Sequence, residues 1–212
     1  VNLFSGDFLD LRTIMLTLPG ILLGLTLHEL AHGYSAYLMG DPTAKNAGRL
    51  TLNPIAHLDP FGFIMLLVAG FGWAKPVPFN PRYFKKYKLG TFVVSIAGVV
   101  MNLFLAVLLT IGLGFYMRNG ENQYIADILL NGIVINLALA VFNLLPIPPL
   151  DGSKIILSFL PLHWEEYYYR YQKYSYVILL GLLYFDVTDY VLFPAVEYLF
   201  NLLFNNILIF FV

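Results

Sequence analysis

Between Thr13 and Leu27 the chain carries no charged side chain. His28, Glu29 and His32 then arrive within five residues, before the apolar pattern resumes through Tyr34, Ala36, Tyr37 and Leu38. A run of this kind reads as membrane, where the backbone must pair within its own segment, and that dictates a helix. Residues four apart lie on one helical face, so His28 and His32 can both present to one metal ion with Glu29 beside them. The plain alternative is a polar kink packed against another helix. Ionisable groups at membrane depth cost about 2.5–3.5 kcal/mol each mid-helix and are kept there for function. The motif therefore reads as a zinc site within the bilayer.

Composition supports the membrane setting. Of 212 residues, 59% are hydrophobic and 12% charged, where soluble domains carry about 25% charged residues. The length allows one domain, 1–212, and the apolar segments use most of it, so no attached soluble module is expected. Cysteine is absent, which excludes disulfides, thiolate ligands and a cysteine nucleophile. A transition-metal site must then draw on His, Asp or Glu. The net charge of −1 carries no information in sum, and no nucleic-acid partner is expected. Segment 13–27 could pass for a signal-peptide core, but it lacks a basic lead and runs straight into the motif, so it is expected to be retained. A start at Val1 rather than Met fits a removed first residue or a late beginning.

The first apolar segment is expected to be a helix over about 12–39, interrupted at Pro19-Gly20 and closed by Gly40-Asp41-Pro42. A polar loop, 40–60, ends in Asp59-Pro60, a cap followed by proline in the first turn. Residues 61–72 are apolar, with glycines at 62, 70 and 72; the prolines of Trp73-Ala74-Lys75-Pro76-Val77-Pro78 forbid a helix beyond them. Further helices are expected at about 90–117 and 124–145, the second ending where Pro146, Pro148 and Pro149 break the chain before Leu150-Asp151-Gly152. Tyrosine-rich segment 163–176 reads as interfacial. Apolar runs 174–185 and 190–212 close the chain, divided by Asp186-Val187-Thr188-Asp189. No internal repeat is visible, which weakens a transporter reading.

A catalytic zinc site usually has three protein ligands, so two histidines leave one to find. His57 and His163 fall in polar segments, Asp127 and Glu197 within or near helices, Asp186 and Asp189 at a turn. Asp151 stands out because a helix broken by prolines persists in a membrane only where it lines a cavity or packs in protein. Taken alone, it reads equally well as a helix cap after a turn.

His28-Glu29-Leu30-Ala31-His32-Gly33, together with Asn143-Leu144-Leu145-Pro146-Ile147-Pro148-Pro149-Leu150-Asp151-Gly152, resembles the site-2 protease family of intramembrane zinc metalloproteases, in its compact prokaryotic branch without a PDZ domain. Gly48-Arg49-Leu50-Thr51-Leu52-Asn53-Pro54, His57-Leu58-Asp59-Pro60-Phe61-Gly62 and Phe71-Gly72-Trp73-Ala74-Lys75-Pro76-Val77-Pro78 agree, so the resemblance covers about 12–160. It implies one Zn2+ per chain held by His28, His32 and Asp151, with Glu29 as general base. It also implies that Gly72–Pro78 forms a re-entrant β-type loop holding substrate extended. Where the family usually has Ala-Gly-Pro before an Asn, this chain has Ala97-Gly98-Val99 before Asn102, which bears on helix geometry rather than on the metal site.

The expected fold is an all-α polytopic membrane protein of about five to six transmembrane helices with a short re-entrant β-type loop. It forms a single transmembrane protease domain, its metal-binding core at about 12–160 and its C-terminal helices at about 174–212. For His28, His32 and Asp151 to meet, loops 40–60 and 73–89 must share one side of the membrane. Segment 61–72 must then dip in and return; it falls short of the about 20 residues that span a ~30 Å core. Lys45, Arg49, Lys75, Arg82, Lys85, Lys86, Lys88, Lys154, Arg170 and Lys173 fall on that side and only Arg12 and Arg118 on the other. This bias puts the site in the cytoplasmic half of a prokaryotic cell membrane.

The expected activity is hydrolysis of peptide bonds within or next to transmembrane segments of membrane-protein substrates, as in regulated intramembrane proteolysis. Glu29 would move the proton, and an edge strand at 73–79 would replace the backbone bonds of an unwound substrate. Asn102 and Asn143 would position the substrate or polarise its carbonyl, or else serve interhelical hydrogen bonds. Trp73, Lys75 and His57 would line the approach, with a structural loop role favoured for His57. Competing readings are a non-proteolytic zinc-binding membrane protein, which the presence of Glu29 disfavours, and a metal-ion transporter, for which further midplane acids are missing.

Overall fold

A computed structural model describes residues 10–69, 72–185, 187 and 189–211. Among them the α-helices are α1 (Leu11–Leu38), α2 (Thr43–Asn46), α3 (Pro60–Ala69), α4 (Tyr87–Asn119), α5 (Gln123–Leu144), α6 (Asp151–Phe159), α7 (His163–Tyr184) and α8 (Asp189–Ile207). Among the described residues there is no sheet; the recorded β pairing is an isolated antiparallel bridge between Leu58 and Ala74. Helices α1, α4, α5 and α8 are long and apolar enough to cross a membrane. Helix α7 joins the expected interfacial segment and the apolar run after it into one 22-residue helix, whose first half carries Glu165, Glu166, Arg170 and Lys173. Gly70, Phe71, Asp186 and Thr188, which entered the sequence expectations, lie outside the described residues.

The centre of the molecule is built on rows of residues four apart, which share a helical face. Helix α1 buries Gly20, Gly24, His28, His32 and Ala36; α4 buries Val94, Gly98, Asn102, Ala106 and Thr110; α5 buries Gly132, Asn136 and Ala140. Small residues let membrane helices approach closely, so dispersion contacts and interhelical hydrogen bonds can hold them together without help from water. The expected interruption at Pro19-Gly20 does not occur: α1 runs through Pro19 unbroken. The proline removes one backbone hydrogen bond. The glycine after it brings α1 onto α5 at backbone distance, since a Cβ at Gly20 would lie 2.8 Å from Gly132 Cα. Away from this polar centre, Ala106, Leu113, Ile133, Leu137 and Leu208 form an apolar cluster against which Val196, Leu199, Phe200, Leu203 and Phe204 pack.

Helix α3 begins as the sequence indicates, with Asp59 Oδ1 accepting from Gly62 N at 2.9 Å. At ten residues it is about 15 Å long, half of what a span requires. The Leu58–Ala74 bridge and the Lys75 N–H donated to His57 O at 2.8 Å return the chain to the point it left. After α5 the chain turns at 145–150 and starts α6. Asp151 is therefore the first residue of a separate short helix, not the end of the preceding one.

Candidate metal centre

His28, His32 and Asp151 arrive from α1 and α6 and meet beneath α4. His28 Nε2 and His32 Nε2 lie 3.0 Å apart, and Asp151 Oδ2 lies 3.2 Å from the first and 2.9 Å from the second. All three residues are buried, and they are the cluster of metal-ligating type found among the described residues.

The outward nitrogen of each imidazole is already engaged. His32 Nδ1 is 2.7 Å from Val94 O, a pure acceptor, so it carries the proton. His28 Nδ1 is 2.6 Å from Asn102 Oδ1. The orientation of that amide follows from its own partners: Asn102 Nδ2 donates to Asn136 Oδ1 at 2.9 Å and to Gly24 O at 3.3 Å, leaving Oδ1 to accept. Asn136 in turn donates to Gly132 O at 2.8 Å, so the network links all three central helices. Both neutral imidazoles therefore turn bare Nε2 lone pairs toward Asp151.

Lys154 Nζ lies 3.4 Å from Asp151 Oδ1, the oxygen turned away from the histidines, while Oδ2 is buried without a donor. Three acceptor atoms facing one another repel unless they share a cation. Two imidazoles and a carboxylate make the donor set of a first-row divalent metal, and hydrogen-bonded Nδ1–H groups fix the ligand tautomer.

Gly98, which the sequence marks only as part of Ala97-Gly98-Val99, lies against both imidazoles. A Cβ there would lie 2.5 Å from His28 Cε1 and 2.6 Å from His32 Nε2. Gly98→Ala is expected to push both imidazoles out of line, lowering metal affinity by about tenfold or more, as loss of a group orienting the ligands does. The measurement is metal content per chain after dialysis against a graded chelator; affinity equal to wild type would show that the helices can separate at no cost.

Glu29 is half-buried beside His28, and its Oε2 accepts from Val77 N at 2.8 Å. Because residues 76 and 78 are prolines, Val77 supplies the one N–H of that tripeptide, and it goes to Glu29. The buried Arg49 guanidinium donates to Lys75 O at 2.7 Å and Pro76 O at 3.2 Å, and Asp41 accepts from Asn80 N at 2.5 Å. The segment is not helical, its recorded β pairing is the bridge at Ala74, and these backbone groups are committed to the chain itself. Arg49 and Asp41 were legible in the sequence only as loop residues; nothing local marks a loop charge as buried.

The other expected site residues are dispersed. Asn102 holds His28. Asn143 donates to Leu139 O of its own helix at 2.9 Å. His57 is buried with Nε2 2.8 Å from Thr51 O, fastening its loop. Trp73 and Lys75 are exposed beside the β bridge. His163 opens α7 next to Trp164, Asp127 pairs with Gln123, and Glu197 is exposed on α8; none joins the metal cluster.

Fold and site define a polytopic membrane protein built around a His–His–Asp group able to hold a metal ion, with a carboxylate beside it. The pattern of peptidase family M50 matches residues 115–185. A candidate zinc metalloprotease of Bacillus subtilis, YwhC, is 44% identical over 188 residues, covering 84% of this chain and 84% of its own length. Candidate zinc metalloproteases named Rip2 are 34% identical in Mycolicibacterium smegmatis and 33% in Mycobacterium tuberculosis; each alignment covers 65% of this chain and 54% of the relative. No solved structure matches. The chain belongs to peptidase family M50, the site-2 protease family.

Proposed function

We propose that the protein is an intramembrane zinc metalloprotease that hydrolyses peptide bonds within or next to transmembrane segments of membrane-protein substrates. The observation that carries this reading is the convergence of His28 Nε2, His32 Nε2 and the donorless Asp151 Oδ2, with Glu29 on the next residue of the same helix. One Zn2+ per chain is held by His28, His32 and Asp151. When bound, zinc supplies a Lewis acid for the scissile carbonyl and makes an attacking water more acidic.

The remaining work belongs to the chain. Glu29 takes the proton of the attacking water and later gives it to the leaving amine. Val77 N–H, held in place through Arg49, fixes one oxygen of that carboxylate and leaves the other to turn toward the substrate. Asn102 and Val94 O keep both imidazoles in the ligating tautomer. Segment 73–79 borders the site through Val77, and an unwound stretch of substrate lies along its exposed side chains, Trp73 and Lys75. The basic bias of the loops supports a site in the cytoplasmic half of a prokaryotic cell membrane.

The test is cleavage of a single-span substrate by purified protein in proteoliposomes. Cleavage is expected within or beside the span, to stop on treatment with a zinc chelator and to return with added zinc. Cleavage indifferent to chelation would overturn the assignment.

A further inference from the structure

Glu197, Asn201 and Asn205 follow one another at four-residue intervals along α8, and all three are exposed. Val196, Leu199, Phe200, Leu203 and Phe204 on the same helix pack onto the α4–α5 core, so the polar row faces away from the rest of the molecule. It covers ~12 Å along the helix axis and lies near the middle of a helix long and apolar enough to cross a membrane. Its side chains have no hydrogen-bond or ion-pair partner among the described residues. A carboxyl group and two amides turned toward hydrocarbon are unfavourable, and asparagine is too short to reach the headgroups.

We propose that this row is the surface through which two copies of the protein associate side by side in the membrane. An amide both donates and accepts, so a row of asparagines is complementary to itself. A two-fold axis along the membrane normal sets two identical rows face to face. Asn201 and Asn205 of each copy then pair at their own depth with the same amides of the other, and Asn201, one turn away, donates to the other copy's Glu197. A different membrane helix would have to bring matching polar groups at this spacing, whereas an identical copy brings them by construction.

The chain has no cysteine, so Leu202→Cys places one reporter beside the row while keeping every member of it. In native membranes a short bifunctional maleimide is expected to give a covalent dimer from Leu202→Cys and none from Met15→Cys, an exposed position on α1. The combined variant Glu197→Leu, Asn201→Leu and Asn205→Leu, all toward better lipid solubility, is expected to reduce co-isolation of two differently tagged full-length copies by about tenfold or more. The proposal fails if Leu202→Cys couples no better than Met15→Cys, if it couples only to another protein, or if the combined variant co-isolates as wild type does. None of these readouts depends on proteolysis.

Discussion

Glu29→Gln is expected to yield a folded, zinc-loaded protein that still binds a transmembrane substrate and does not cut it. The side chains of His28, His32 and Asp151 are untouched by the change. The glutamine oxygen can still accept from Val77 N–H, which lies 2.8 Å from the present carboxylate. What disappears is the site that takes the proton, and general-base catalysis accounts for about 10²–10⁴-fold in rate. A neutral amide is easier to bury than a carboxylate, so stability should hold or rise slightly. The check is three measurements on one preparation: zinc per chain, substrate capture and fragment yield. Undiminished cleavage would remove Glu29 as the base; loss of zinc and fold together would make it structural.

Asp151→Ala should empty the metal centre. It removes the one anionic ligand of the three and leaves two imidazoles whose Nε2 atoms, 3.0 Å apart, have nothing to close the set. If about 10–16 kcal/mol of zinc affinity is shared among the ligands of a site, one ligand is worth about 3 kcal/mol, or roughly a hundredfold. Zinc per chain should fall from about one to a small fraction after dialysis, and cleavage should fall with it. His32→Ala should behave alike. Full zinc retention in Asp151→Ala would mean that a different group completes the set.

Much of this protein is local in origin and therefore legible along the chain. Period-four spacing puts His28 and His32 on one face whatever surrounds them, because it is a property of the helix itself. Apolar length marks the spans, and the shortness of α3 with Asp59-Pro60 at its head announces a segment that cannot cross. The prolines before Asp151 marked a break, though not the new helix that starts there, since a turn followed by a nine-residue helix has the same local signs as a cap. Pro19 misled in the opposite direction. Its lost hydrogen bond was visible, while the close packing of Gly20 on Gly132 that offsets it was not.

The sequence by itself determined the helical membrane class, the histidine pair and the carboxylate beside it, since each follows from composition or from neighbours within one or two turns. Only the tertiary structure decided which acid lies against the histidine pair, that Asn102 and Val94 O set the imidazole tautomers, that Gly98 leaves room for them, and that Arg49 and Val77 hold Glu29. Those contacts join residues far apart in the chain at distances near 3 Å. They depend on how closely α1, α4 and α5 pack, a quantity that no window of sequence contains.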